Sequence, residues 1–493
     1  MSKTSGIRVY LRPPHQRSVV IHSGPTNSGK THAALKELAS ANKGAYLAPL
    51  RLLAWEAAER LAELGCPTDL LTGEEHIRAP GARAVAATVE MLPPGSYDVV
   101  VVDEAQMIAD HDRGWAWTRA LMQVDTAVLH VCCAPHALRY LEELFRRLGD
   151  EVAVEEHGRL LPLRPLENAT PLSALPPRSA VVAFSRLGVL RLKAEIERLH
   201  HAQCAVIYGG LPPDVRREQA RLVQSGEAQF VAATDAIGLG LNFPVDRVIL
   251  TDVFKFDGKM QRQLRPEEAQ QIVGRAGRFG LATEGFYGGL NPQAHKNLLG
   301  LAIRQPAEIR QGYLQPSLAD LQTLRGRIGK RIEEWLGRAA PEFGDLVRLA
   351  DTETMIRLAS WLPVDLELEL AYTLVTAPVS EPAMPYWLDT VHAVARGWEI
   401  PEPKMFVGRI TTEAELTRAE GRLRQYDLCL WLVRHRGLAG PDEPRLHRER
   451  NLIAREIERA LLAGIKMAGC QRCGAPLPPG HPYRICDACF HGY

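Results

Sequence analysis

The chain has 493 residues, 46% of them apolar and 24% charged, an ordinary globular composition with room for about three or four domains. A formal net charge of +1 excludes a global basic field, so any nucleic-acid contact must come from local grooves. No apolar run approaches the roughly 18 residues of a membrane span, which excludes an integral helical membrane protein as the expectation.

The N-terminal text MSKTSGIRVYLRPP has no signal-peptide core and is too short before the first strand for a transit peptide. Val19, Val20 and Ile21 then form a short apolar run, as a buried parallel strand would. Gly24, Pro25, Thr26, Asn27, Ser28, Gly29, Lys30 and Thr31 follow and fit the spacing G-x-x-x-x-G-K-[ST]. A helix with Ala33, Leu35 and Leu38 comes next, so the strand–loop–helix context of a phosphate-binding loop is complete. The glycines let backbone N–H groups turn inward around a polyphosphate. Lys30 supplies a point charge to the β/γ-phosphates, Thr31 can ligate Mg²⁺, and the helix N-terminus adds its dipole. His22 reads as a satisfied interior histidine.

Strands are predicted at Ala45–Ala48, Ala84–Thr88, Asp98–Val102 and Ala127–Val131, with a helix at Leu52–Leu64. This alternation predicts a doubly wound parallel sheet over residues 1–175. The strand YDVVVV runs directly into Asp103-Glu104-Ala105-Gln106. Beside a phosphate loop, Asp103 is placed to hold Mg²⁺ and Glu104 to orient and deprotonate the attacking water. Arg51 opens a helix after Pro49-Leu50, and Thr88 ends a strand; both positions suit a nucleic-acid phosphate. Trp115 and Trp117 read as core, and Cys132-Cys133 as buried and inert.

The Pro-rich text PLSALPPRS reads as a linker to a second alternating set, residues 176–300. Its strands are predicted at Ala180–Phe184, Cys204–Tyr208, Gln229–Thr234 and Arg247–Thr251, with helices at Leu187–His200 and Pro213–Gln224. This lobe has no phosphate loop but contains QIVGRAGRFG, Gln271–Gly280. Arg275 and Arg278, three apart, can reach a γ-phosphate bound by the other lobe as arginine fingers, with Gln271 positioning the water. Val253–Phe256, Asp257-Gly258 and Lys259–Leu264 read as a hairpin.

Helical periodicity dominates residues 301–465, at Leu318–Leu336, Leu346–Leu362, Tyr386–Ala395 and Leu416–Arg436. Of nine cysteines, four fall at the very end as Cys470-x₂-Cys473-x₁₂-Cys486-x₂-Cys489. Two paired knuckles of thiolates are a tetrahedral structural Zn²⁺ pattern, so residues 466–493 are predicted to be a zinc module. Scattered cysteines elsewhere fit a reducing, cytoplasmic setting rather than a disulfide framework.

GPTNSGKT, DEAQ, ATDAIGLGLN (Ala233–Asn242) and QIVGRAGRFG resemble motifs I, II, V and VI of a superfamily-two DExH helicase. TGEE (Thr72–Glu75), RGWAWTRAL, VVAFSRLGVL and YGGLPPDVRREQA narrow the resemblance to the mitochondrial-degradosome RNA helicases, the Suv helicases, and their bacterial relatives. The resemblance runs from about Ile21 to Gly280 and continues loosely through AYTLVTAPV and YDLCLWLVRHRG. It implies two tandem RecA-like lobes, a helical accessory domain and ATP-driven 3′→5′ unwinding. It places Arg51, Thr88 and Thr234 on the nucleic-acid backbone and Gly240 and Asn242 toward the nucleotide. It makes RNA the expected substrate, with DNA open, and an exoribonuclease or other RNA-decay protein an expected partner. It also suggests a strand-separating wedge at the hairpin. The chain departs from the family at motif III, where Ser-Ala-Thr is replaced by VCCAPHAL, and it lacks an evident adenine-reading glutamine motif. Three readings share these motifs: a helicase, a nucleic-acid-binding adaptor or RNP remodeller gated by ATP, and a DNA-repair translocase.

Overall fold

The computed structural model describes residues 7–9, 13–73, 75–238, 244–257, 260–277, 282–341, 343–434, 438–465, 472 and 489–490. Two compact units emerge. Unit 1 comprises residues 1–160, 306–403 and 425–443, and unit 2 comprises 161–305, 404–424 and 444–493. Residues 301–465 thus contribute to both units.

Unit 1 is built on an eight-stranded sheet. Its strands are β1 (Ser18–Ser23), β2 (Gly44–Ala48), β3 (Thr68–Leu71), β4 (His76–Ile77), β5 (Ala84–Thr88), β6 (Ser96–Val102), β7 (Asp125–Cys133) and β8 (Glu151–Glu156). Their spatial order is β4-β3-β5-β2-β6-β7-β1-β8. Every pairing is parallel except β3–β4. The central strands are continuous apolar runs because helices cover both faces, and β2 is buried along its whole length. Helix α1 (Lys30–Ser40) buries Ala34, Leu35 and Leu38, and α2 (Arg51–Glu63) buries Leu52, Ala54, Ala57 and Leu61. Both stripes join one core with Tyr46, Ala86 and Val101. Helices α3 (Gly114–Gln123) and α4 (Leu138–Leu148) join strands that step the other way across the sheet, which right-handed crossovers place on its opposite face, and α4 ends on Gly149 at φ 84°, a left-handed cap.

One buried ion pair ties the strand ends. Arg17, just before β1, places Nη2 2.6 Å and Nε 3.1 Å from the two Asp150 oxygens, and neither side chain is exposed. Removing one partner strands a charge in the core. Asp150→Ala is therefore expected to cost about 3–5 kcal/mol. A urea titration of the first unfolding transition checks this; a loss under about 1 kcal/mol would put the pair in the class of surface ion pairs.

Unit 2 holds a six-stranded, all-parallel sheet. Its strands are β9 (Leu163–Pro165), β10 (Ser179–Val182), β11 (Cys204–Ile207), β12 (Phe230–Ala233), β13 (Arg247–Leu250) and, after the hairpin, β16 (Gly285–Gly289). Their order is β9-β16-β13-β10-β12-β11. The helices are α5 (Arg186–His200), α6 (Pro213–Gln224), α7 (Pro266–Val273) and α8 (Pro292–Ala302). Residues 161–175, assigned by text to the first lobe, supply the edge strand of this second sheet. The Pro-rich stretch read as a linker forms a tight turn at Leu172–Ala174, where His200 Nε2 lies 2.7 Å from the Leu172 carbonyl oxygen. In the same unit Glu420 accepts 2.6 Å from the Tyr208 hydroxyl and pairs with Arg186, fixing the 404–424 segment to this lobe.

The remaining helices are α9 (Leu318–Gln322), α10 (Ile328–Arg338), α11 (Glu353–Ala359), α12 (Leu368–Thr376), α13 (Met384–Ala395), α14 (Glu413–Arg434) and α15 (Glu443–Ala463). Two expected single helices are broken. Gly326, at φ 100°, separates α9 from α10. Val347–Leu349 pairs in parallel with Gly312–Leu314, so α11 starts only at Glu353. No helix among the described residues is long and apolar enough to cross a membrane.

Candidate functional site

Parallel strands deliver their loops to one edge of the sheet, and the unit 1 residues collect there. The phosphate loop leaves β1 at Ser23, which registers with Cys133 on β7. DEAQ leaves β6, Arg51 follows β2, and Thr88 ends β5, with Ala48 opposite Thr88.

The loop is shaped by backbone constraints at two points. Gly29 sits at φ 82° immediately before α1. A Cβ on Gly24 would fall 2.6 Å from the His157 carbonyl oxygen, so only glycine fits there. Asn27 is also left-handed, a conformation its short polar side chain tolerates. The loop is braced from outside by a segment that gave no signal in the sequence. His157 N–H donates to Ser23 O at 2.7 Å, Leu160 N–H to Asn27 O at 3.0 Å, and Arg159 Nη1 to Thr26 O at 2.9 Å. Burial pushes the Arg159 guanidinium down to about 10.

Lys30 is buried, and its ammonium donates to Pro25 O at 3.2 Å. Ser28 Oγ is buried without a protein partner, which suits a hydroxyl that donates to a phosphate oxygen. Thr31 Oγ1 lies 3.2 and 3.4 Å from the Asp103 oxygens. This hard-oxygen set fits Mg²⁺. Asp103 also accepts 2.7 Å from the Tyr46 hydroxyl and 2.8 Å from Glu104 N–H. Burial and the neighbouring Glu104 raise its carboxyl above the usual range, and Tyr46 and Lys30 oppose that rise. A bound cation acts in the same direction as Tyr46 and Lys30.

Glu104 sits at φ 50°, a left-handed bend that turns its side chain away from the strand line. Gln106 holds it: Nε2 donates to Glu104 Oε2, and Oε1 accepts 3.0 Å from Ala134 N–H. Gln106 therefore joins DEAQ to VCCAPHAL through the main chain. The sequence offered no sign of the link. Trp117 is core, as read, and its Nε1 donates to Asp103 O at 3.0 Å. Cys132 and Cys133 are buried thiols pushed up by burial, Cys133 to about 12.

In unit 2, Thr234 follows β12 and accepts 3.2 Å from Ala236 N–H, opening a tight turn over Asp235–Ile237. Arg275 Nε donates to Gly238 O at 3.0 Å. A Cβ on Gly238 would meet Gln271 Cγ at 3.6 Å. Thr234, Gly238, Gln271 and Arg275 are thus neighbours within this lobe. Arg278, Gly240, Asn242, Cys470, Cys473 and Cys486 lie outside the described residues, whereas Cys489 is described.

The expected hairpin is present. Its strands, β14 (Phe254–Phe256) and β15 (Gln261–Gln263), pair antiparallel. One face is tied to α7: Glu268 takes Lys255 at 2.8 Å and Arg262 through two contacts of 2.8 Å. Burial alone would raise the Glu268 carboxyl, but Arg262, Arg265 N–H and Lys255 hold it well below the usual carboxylate range. The other face shows Phe254 at 40% and Phe256 at 65% exposure. These rings border an open groove of about 1120 Å³ whose other wall includes Arg191, Glu195 and Arg198 of α5.

Residues 11–157 match the DEXQ-box helicase domain of Suv3, and residues 174–280 match the helicase conserved C-terminal domain. The chain is 42% identical over 268 residues to the mitochondrial DExH-box ATP-dependent RNA helicase DExH16 of Arabidopsis thaliana, covering 54% of this chain and 47% of that protein. It is 38% identical over 359 residues to the mitochondrial ATP-dependent RNA helicase SUV3 of Oryza sativa, covering 70% and 61%. It is 34% identical over 413 residues to the mitochondrial ATP-dependent RNA helicase SUPV3L1 of Homo sapiens, covering 79% and 52%. The chain spans about half the length of these relatives. The two domain matches fall on the two sheets that hold the phosphate loop and the Gln271–Arg275 turn, and with these relatives they mark the chain as a relative of the Suv helicases that carries a Suv3-type DEXQ helicase domain followed by a helicase C-terminal domain.

Proposed function

We propose that this chain is an ATP-dependent RNA helicase that moves 3′→5′ and separates duplexes. Lys30 and the inward N–H groups of the loop bind and neutralise the polyphosphate. Mg²⁺, held through Asp103 and Thr31, supplies further charge neutralisation on the β- and γ-phosphates when bound. Glu104, fixed by Gln106, takes the proton of the attacking water. Arg275 and Arg278 stabilise the transferring phosphoryl charge during turnover, and Gln271 orients the water. Arg51, Thr88 and Thr234 hold the strand by its phosphates.

The observation that carries this reading is the link from hairpin to α7. Glu268 joins Lys255 and Arg262 of the hairpin to the helix that bears Gln271 and leads to Arg275. A hydrolysis-linked shift of α7 therefore moves two exposed phenylalanines, a stacking surface for bases. Phe254→Ser with Phe256→Ser is expected to leave RNA-stimulated ATP hydrolysis intact and to slow unwinding of a 3′-tailed RNA duplex by about 5-fold or more. Unchanged unwinding would make this an ordinary surface hairpin and favour the adaptor reading.

The tail belongs to the same proposal: Cys470, Cys473, Cys486 and Cys489 hold one structural Zn²⁺, supported by their paired spacing. Zinc content should fall by one equivalent in Cys486→Ser, Cys489→Ser; undiminished zinc would overturn the site.

A further inference from the structure

A histidine cluster lies directly beneath the phosphate loop and takes no part in the nucleotide chemistry. His22, on β1, is fully buried. Its Nδ1 is 3.0 Å from His157 Nε2 and 3.2 Å from Glu155 Oε2, and those two atoms are 3.7 Å apart. Ligands bound to zinc at about 2.0–2.1 Å in a tetrahedral shell stand roughly 3.4 Å from one another. The three separations bracket that value.

The opposite nitrogen of His22 is engaged. Nε2 is 2.9 Å from His130 Nδ1, and His130 Nε2 is 3.1 Å from Glu37 Oε2, off the hydrogen-bonding direction. With Nε2–H of His22 donating to His130 Nδ1, the lone pair of His22 Nδ1 faces the space it shares with His157 Nε2 and Glu155 Oε2. This tautomer is assigned from the contacts.

We propose that His22, Glu155 and His157 bind one zinc-class divalent cation through Nδ1, a carboxylate oxygen and Nε2. Two imidazoles and one carboxylate are a ligand set that zinc accepts. His130 and Glu37 act behind it, fixing the orientation of His22 as partners of a ligating imidazole do. The cation ties the end of β1 to β8 and its continuation. That continuation is the brace whose His157, Arg159 and Leu160 hold the phosphate loop. Its role is therefore to stiffen the loop from below.

The test uses the full chain carrying Cys486→Ser and Cys489→Ser, so that the tail contributes no metal site. After chelation and dialysis, Co²⁺ is titrated in and followed by its visible spectrum. The expected result is one equivalent with ligand-field bands and no sulfur-to-cobalt charge transfer. Zn²⁺ should displace it and raise the unfolding temperature. Adding Glu155→Gln and His157→Gln should weaken Co²⁺ binding by at least about 10–100-fold. Both side chains lie at the surface end of the cluster, and melting of the metal-free protein verifies that the fold is retained. No saturable Co²⁺ binding, or equal binding by the substituted chain, overturns the site and leaves a hydrogen-bonded histidine cluster.

Discussion

Lys30→Ala is expected to lower ATP turnover by at least about 10²-fold while leaving unit 1 folded. The ammonium is buried at the first position of α1, and it donates to the carbonyl of Pro25 within its own loop. Alanine is the most favourable helix residue, so α1 keeps its start. The lost charge is the one proposed to meet the polyphosphate, in a loop that also holds Ser28 Oγ and the Thr31–Asp103 pair. Steady-state hydrolysis with saturating RNA, read beside a thermal melt, separates chemistry from folding. Turnover within about twofold of wild type would remove the phosphate-loop assignment and every role built on it.

Arg275→Ala should cost roughly 10³-fold or more in kcat, with a smaller change in the KM for ATP. Arg275 follows α7 and donates to Gly238 O, so its guanidinium is held beside the turn that begins at Thr234. The segment just after Arg275 is closely determined. A Cβ on Gly277 would meet the Gly285 backbone at 2.9 Å, and Gly277 sits at φ 76°. Arg275→Lys keeps the charge but not the planar fork, and should recover only part of the loss. Equal losses in nucleotide affinity and turnover would mean uniform binding rather than transition-state stabilisation.

The parts legible in the sequence are those whose chemistry is local. Gly24–Thr31 and Asp103-Glu104 carry their meaning within a few residues and a flanking strand. The hairpin was legible because Asp257-Gly258 sits between two β-prone runs. What escaped depends on pairing between distant segments. Glu151–Glu156 is acidic and mostly exposed, so it lacks the apolar run of a buried strand, yet it pairs with β1 and carries Glu155 beside His22. Tyr46, Gln106, His130 and Arg159 gain their roles only from the strand order and from the chain's return past β1. Helix α15 was missed because charge obscures its stripe. Leu446, Ile453, Ile457 and Leu461 are buried, but Arg450 occupies a core position through an ion pair with Asp214 at 3.1 Å. The helices expected at 318–336 and 346–362 failed for opposite reasons. One contains a left-handed glycine, and the other gives its first residues to a parallel pairing with Gly312–Leu314.

Unwinding polarity on defined duplexes tests the central claim most directly. RNA duplexes of equal length, one with a 3′ single-stranded tail and one with a 5′ tail, are mixed with the full chain, Mg²⁺ and ATP. The account predicts separation of the 3′-tailed duplex, none of the 5′-tailed one, and none of either with Lys30→Ala. RNA-stimulated ATP hydrolysis without separation of either duplex would contradict it and leave an ATP-gated binding protein in its place.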